Sequence, residues 1–210
     1  MQIILDQFPD LNEKQINQLH RLKNIYETWN NKINVISRKD IENIYIRHIL
    51  HSLSIAKFIK FRKDATILDL GTGGGFPGIP LAIIFPDANF ILVDSKRKKI
   101  SVVDEVVNEL ELKNINSHWS RAEDLDYSYD FLVTRAVAKL PTLIDWSKGR
   151  FNKYSSHEIE NGIIALKGGD IDDELSGITE KRIFDIKNIF DIKYFCDKKI
   201  VYIPSSAIES

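Results

Sequence analysis

Apolar residues recur at helical spacing through the first part of the chain. Ile16, Leu19, Leu22, Tyr26 and Trp29 fall on one face of a 3.6-residue repeat. Asn12 precedes them and Gln15 stands three residues on, the pattern of a capping box that opens a helix. A second helical stretch starts near Asp40 and runs through Ile41, Ile44, Ile49, Leu53 and Ile55 to about Ile59. Phe61-Arg62-Lys63-Asp64 reads as a junction, and from Ala65 the pattern changes. Short apolar runs at Thr66–Leu70, Phe90–Val93, Asn114–His118, Phe131–Thr134 and Gly162–Leu166 read as strands. Amphipathic stretches near 77–86, 96–111 and 140–147 fall between them. Such alternation implies parallel βαβ units with right-handed crossovers. Arg182–Phe190 and Lys193–Ile203 are two β-prone runs separated by a short break, predicted to close the sheet edge as an antiparallel pair. The expected fold is therefore α/β and Rossmann-like: a mostly parallel twisted sheet over 63–210, preceded by an N-terminal helical extension over 1–62.

Composition narrows the class. With 43% hydrophobic and 28% charged residues, the chain can pack a core and is not expected to be disordered. The net charge of −1 argues against a surface that is basic throughout, so a nucleic-acid site would have to be a local patch. The single cysteine, Cys196, excludes an internal disulfide, and the five histidines show no ligand spacing around it, so no metal is expected. Its position in the late β-prone run suggests a small buried hydrophobe. Met1-Gln2-Ile3-Ile4-Leu5-Asp6 is charged too soon for a signal peptide, and no apolar run approaches a membrane span. These features set the expectation of a monomeric cytoplasmic protein.

The sharpest chemical signal is Ile67-Leu68-Asp69-Leu70-Gly71-Thr72-Gly73-Gly74-Gly75-Phe76-Pro77-Gly78. A strand runs into a turn holding five glycines in eight residues, which would weaken a fold unless a ligand needed close approach to the backbone. In an open parallel sheet that turn lies where ligands bind. The segment fits G-x-G-x-x-G, yet Asp69 at the strand end would repel a pyrophosphate. A carboxylate there suits a ligand carrying an ammonium and a sulfonium, which is S-adenosylmethionine (SAM). Gly71 and Gly73 would shape its pocket. Asp94 ends the second strand, about twenty residues on. It can take both ribose hydroxyls of an adenosine, or simply cap the next helix. Arg121-Ala122-Glu123-Asp124 follows the third strand, placed to meet an adenine ring or to be a solvated charged loop.

What is missing also informs. Thr134-Arg135-Ala136-Val137-Ala138 follows the fourth strand, where methyltransferases of exocyclic amines carry an Asn/Asp-Pro-Pro-aromatic turn. No cysteine is available near that face for attack on a pyrimidine. A ring nitrogen with a free lone pair, such as guanine N7, fits what remains, because it has no proton to remove and asks mainly for alignment. Arg135, Lys139, Lys148, Arg150, Lys153 and Lys167 follow strands four and five and are expected on or near the ligand face, as are Lys96–Lys99. Each lysine alone is equally a solvated surface residue. A methyltransferase of a small molecule or another RNA, and a non-catalytic nucleotide-binding protein, are the competing readings.

Taken together these residues resemble the RsmG (GidB) family of bacterial small-subunit rRNA methyltransferases, from about Tyr26 to Lys167. The resemblance includes Trp29-Asn30 with Lys32-Ile33-Asn34, and Arg47-His48 followed by Ser52-Leu53. Its most specific part is Gly75-Phe76-Pro77-Gly78-Ile79-Pro80 within the glycine segment. Asp94-Ser95, Arg121-Ala122-Glu123, Arg135-Ala136-Val137-Ala138 and Lys167-Gly168 follow in family order. The resemblance implies a SAM-dependent methyltransferase acting on N7 of a guanosine in the decoding region of 16S rRNA. It implies that Gly71, Phe76, Ala122, Glu123 and Arg135 line the cofactor pocket, with Asp94 near the ribose. Arg135, Lys139 and Lys167 are candidate RNA contacts. His51 stands where the family usually has Asp before Ser-Leu.

Overall fold

A computed structural model describes residues 1–33 and 35–209, so Asn34 of the Lys32-Ile33-Asn34 match lies outside the described residues. The chain opens with α1 (Gln2–Gln7) and α2 (Glu13–Asn30). The capping box forms as the sequence predicts: Asn12 Oδ1 accepts the Gln15 N–H and Gln15 Oε1 accepts the Asn12 N–H, each at 3.0 Å. The second helical stretch is broken up. It comprises α3 (Arg38–Ile41), a π-helical stretch (Tyr45–Leu50) and α4 (His51–Phe58).

The sheet follows. Its parallel part holds β1 (Thr66–Leu70), β2 (Asn89–Asp94), β3 (Ile115–Trp119), β4 (Phe131–Arg135) and β5 (Gly162–Gly168). Helices α5 (Gly78–Ile84), α6 (Arg97–Glu109) and α7 (Leu140–Ser147) connect them, and α8 (Asp172–Leu175) follows β5. The chain ends with β6 (Arg182–Asp185), α9 (Ile186–Ile189), β7 (Lys198–Pro204) and α10 (Ser206–Glu209). Seven strands lie in the order β3-β2-β1-β4-β5-β7-β6, with β7 antiparallel to both neighbours. The strand order reverses between β1 and β4, which is where open sheets of this kind receive ligands.

Alternation along each strand feeds two cores. Ile67, Phe131, Val133, Ile164 and Leu166 point to one face, and Leu68, Leu70, Leu132, Ile163 and Ala165 to the other. The first face is covered by α5 and α6 and by the N-terminal helices, whose Leu19, Leu22, Tyr26 and Leu53 join the same core. Side chains of α2 also reach helix ends. Gln15 donates to the Ile83 carbonyl, Gln18 to that of Leu110 and Arg21 to that of Glu109. These carbonyls end α5 and α6 and have no partner within their own helices. Residues 1–62 therefore supply both apolar cover and polar caps to the sheet.

The closing pair is shorter than its two apolar runs. Ile186 and Phe190 are buried at helical spacing, so the first run leaves the sheet after Asp185 and turns into α9. The second begins as a 3-10 turn over Lys193–Phe195 that buries Phe195. Packing of apolar side chains overrides β propensity in both places. Cys196 lies just beyond this turn and is exposed, not a buried hydrophobe, because the strand starts only at Lys198.

Candidate active site

The glycine segment connects β1 to α5 at the carboxyl edge of the sheet. Gly71, Gly73 and Gly75 take φ of +66°, +62° and +98°, which a side chain would strain. The turn is held internally: the Thr72 N–H meets the Val93 carbonyl, and the Gly75 and Phe76 N–H groups meet the Thr72 carbonyl, each at 2.9 Å. Asp69 departs from expectation. It is wholly buried beneath the loop, where its Oδ2 accepts the Thr72 hydroxyl at 2.6 Å and the Gly78 N–H at 2.7 Å. Being the inward-facing residue of β1, it props the turn from below and lines neither cavity above it. Asp69 Oδ1 has no partner, and burial pushes this carboxyl up to about 7.

That displacement has a testable sign. The folded chain holds the Asp69 proton more tightly than the unfolded chain, whose carboxyl titrates near 4. The stability this group contributes is full below about pH 4 and is lost as pH rises from about 4 to about 7. Relative to wild type, the urea midpoint of Asp69→Asn, which cannot titrate, is expected to gain between pH 5 and pH 8; the comparison cancels the opposite pull of His48 and His51, which burial holds neutral. An unchanged pH dependence would show that Asp69 is ionised throughout.

Above the loop lies a groove in two parts, of about 320 and 420 Å³. Gly71, Asp94, Ser95 and Val137 border both. Val137 presses on Gly71 so closely that a Cβ there would collide with it. The smaller part is walled by Arg121, Ala122, Glu123 and Trp146, the larger by Gly73, Phe76, Arg135 and Val35. Asp94 sits between them, 6% exposed. Its Oδ1 accepts the Lys96 N–H at 2.9 Å, and its Oδ2 accepts the Gly73 N–H at 3.0 Å and faces Lys99 Nζ at 3.4 Å. The carboxylate thus braces both the loop and the start of α6. The groove brings Gly71, Gly73, Phe76, Asp94, Ala122, Glu123 and Arg135 together as the sequence suggests. Trp146 and Val35 had no signal beyond being apolar, and Val137 had only its place in the Arg135-Ala136-Val137-Ala138 match. A larger cavity of about 560 Å³, bounded by residues 56–62 and Glu158–Ile159, lies at the opposite edge of the sheet and holds none of these groups.

Arg135, at the end of β4, joins the N-terminal helices to the groove. Its guanidinium donates to the Arg47 carbonyl at 3.3 Å and to His48 Nδ1 at 2.9 Å. Arginine has no acceptor, so His48 Nδ1 must accept. Burial, reinforced by the Arg135 charge, pushes His48 down to about 3, which keeps the ring neutral for that role. The guanidinium also lies 5.2 Å from the Phe76 ring centre, and Tyr26 and His48 pack on the same ring at 4.9 and 5.0 Å. The Tyr26 hydroxyl donates to the Gly74 carbonyl. Arg47 and His48 lie in the π-helical stretch, a distortion often found at functional sites. Sequence reading gave them no role because their partners are some ninety residues away. His51 is also buried, pushed down to about 3 chiefly by burial and then by Arg135, and packed edge-on against Phe195 at 5.7 Å.

Of the basic candidates, Lys139 is exposed at the start of α7. Lys167 is not available to a phosphate. It is 8% exposed, donating to Glu174 at 2.6 Å and to the Ala138 carbonyl at 2.7 Å. Glu174 also accepts the Leu140 N–H, so the pair holds the β4–α7 turn from beneath. Lys167→Met is expected to cost about 1–3 kcal/mol of stability, because it removes the charged hydrogen-bond partner of the partly buried Glu174 carboxylate. Much of that loss should return in the double variant with Glu174→Gln. A purely RNA-binding lysine would leave the urea midpoint unmoved. Lys148, Arg150 and Lys153 also miss the ligand face. α7 has carried the chain back to the opposite edge, where the Arg150 carbonyl accepts the Tyr129 N–H just ahead of β4. Among the described residues no group of three or more His, Cys, Asp or Glu side chains could hold a metal, and no helix is long and apolar enough to cross a membrane.

A parallel sheet with its reversal at β1/β4, an antiparallel β7 and a glycine turn facing an acid at the end of β2 define a Rossmann-like SAM-dependent methyltransferase fold. A SAM-dependent methyltransferase from Aquifex aeolicus superposes with a TM-score of 0.52 at 15% identity, covering 80% of this chain and 99% of that one. The profile of the family described as "rRNA small subunit methyltransferase G" matches residues 15–200, and the chain belongs to that GidB family. Proteins named "Ribosomal RNA small subunit methyltransferase G" from Flavobacterium johnsoniae and Christiangramia forsetii are 49% and 50% identical to it over 204 residues. Those alignments cover 97% of this chain, and 98% and 97% of the two relatives.

Proposed function

We propose that this protein transfers the methyl group of SAM to N7 of a guanosine in the 16S rRNA of the small ribosomal subunit. The observation that carries the reading is the groove spanning the glycine loop, with Asp94 at its centre and Arg135 at one end. The groove fits the cofactor. Gly73 leaves the backbone uncovered where a side chain would fill the space, and Gly71 lets Val137 close on the loop. Asp94 keeps one carboxylate lone pair beyond those facing Gly73, Lys96 and Lys99, and the Lys99 contact at 3.4 Å can give way to a second ribose hydroxyl. Ala122, Glu123 and Trp146 wall the part suited to a purine. Bound there, SAM supplies an electrophilic methyl group.

The chain's own work is orientation. A ring nitrogen bears no proton to remove, and the groove contains neither a cysteine nor a turn built to hold an exocyclic amine. Arg135, fixed by His48 and the Arg47 carbonyl, places its charge at the end of the groove bounded by Phe76 and the Ala136–Val137 turn. Lys139 and the exposed cations at the start of α6 provide for phosphates. In this reading residues 1–62 form a helical extension that completes the wall of the groove over a core of residues 63–210. The protein works as a monomer in the cytoplasm, where its ribosomal substrate is.

Incubation with methyl-labelled SAM and small subunits, or 16S rRNA, from cells lacking this gene should place label on N7 of a single guanosine. Label appearing only in small molecules of a metabolite extract would overturn the reading.

A further inference from the structure

We propose that Trp119 is a stacking platform for an unpaired RNA base flanking the methylated nucleotide; the proposal rests on the rRNA reading above. Trp119 is the last residue of β3, the outermost strand on its side of the sheet, in register with Asp94 of β2. It is 59% exposed. Its indole is nevertheless not free to wander, because the ring N–H donates to the Ser95 carbonyl at 3.0 Å. The polar atom is satisfied and, apart from the Arg97 guanidinium over the ring, the indole is left open, so a planar partner meets a preorganised surface. Trp119 lines neither part of the cofactor groove, yet its anchor Ser95 lines both. A base stacked here would lie at the rim of the groove and not inside it.

The charge around this ring selects the partner. The Arg97 guanidinium lies 5.5 Å from the ring centre, and Lys96, Arg97 and Lys98 are all exposed. These cations open α6, whose first turn contains no acidic residue. Asp94 already answers the Lys96 N–H and the Lys99 charge, while the side chains of Lys96, Arg97 and Lys98 are turned to solvent, where an anion from outside can meet them. An exposed aromatic face flanked by cations matches single-stranded nucleic acid, whose bases stack while its phosphates meet the basic groups.

The test uses the full chain, with protein-free 16S rRNA transcript and with small subunits. Trp119→Ala is expected to weaken binding of both RNAs and to raise their KM by roughly 5- to 100-fold. SAM affinity, kcat and the ligand-free melting temperature should be unchanged. Trp119→Phe, which keeps a ring, should recover binding to within about threefold of wild type. Arg97→Gln should reduce the slope of log K against log salt by about 1. RNA affinity unmoved by Trp119→Ala, with wild type methylating normally, overturns the platform and leaves the rRNA reading intact. Loss of small-subunit binding with transcript binding preserved assigns the surface to a ribosomal protein and also overturns it. RNA binding that depends on Trp119 without any methyl transfer by wild type upholds the platform while the methylation reading falls.

Discussion

Asp94→Ala is expected to weaken SAM binding by roughly 10- to 150-fold, the loss of a charged acceptor for the ribose hydroxyls. Isothermal titration of the purified variant reads this directly. The ligand-free protein should unfold within a few degrees of wild type. The Gly73 and Lys96 N–H groups that Asp94 accepts lie at the rim of an open groove, where water can replace it. Asp94→Asn, which retains one carbonyl acceptor, should fall between the two. A ligand-free melting temperature lowered in proportion to the affinity loss would make Asp94 a loop brace alone.

Gly78→Ala is expected to destabilise the fold by overpacking beneath the loop. A Cβ at that position would lie 2.7 Å from Asp69 Oδ2 and 2.8 Å from Leu92 Cδ1. Neither neighbour can yield, since Asp69 is fully enclosed and Leu92 belongs to the core. Overpacking of this kind costs about 1–3 kcal/mol. For a chain of this size that lowers the melting temperature by roughly 2–12 °C. Scanning calorimetry measures it, and SAM binding should fall with it because the Gly78 N–H to Asp69 bond sets the loop height. Gly73→Ala is the control. Its Cβ would meet only Lys99 Nζ at 3.8 Å, so its cost is confined to the φ of +62°. Equal losses in the two variants would mean that steric contact with Asp69 and Leu92 does not matter.

Much of the architecture was legible in the chain. The start of α2 was readable because a capping box is local, and the βαβ order because periodicity changes at Ala65. The glycine segment and Asp94 marked the groove through spacing alone. What escaped depends on direction and distance. A strand-end residue can face either side, so Asp69 and Lys167 looked like ligand groups until the sheet put them beneath the loop and against Glu174. Lys148, Arg150 and Lys153 were misplaced although α7 was read at its observed length: they follow its end, and so lie at the edge where β5 begins and not at the edge where β4 ends. His48 is informative only beside Arg135, 87 residues away.

Helix α2 leaves the ribosome early and finds its partners late. The carbonyl that Gln18 caps, at Leu110, is synthesised 92 residues afterwards. At about 5–20 residues per second this leaves roughly 5–18 s before Leu19, Leu22 and Tyr26 have the α5 and α6 layer to pack on. During that interval the nascent chain presents an apolar helix face to the cell. The need for protection by chaperones should therefore concentrate in the first half of synthesis and end once α6 has emerged.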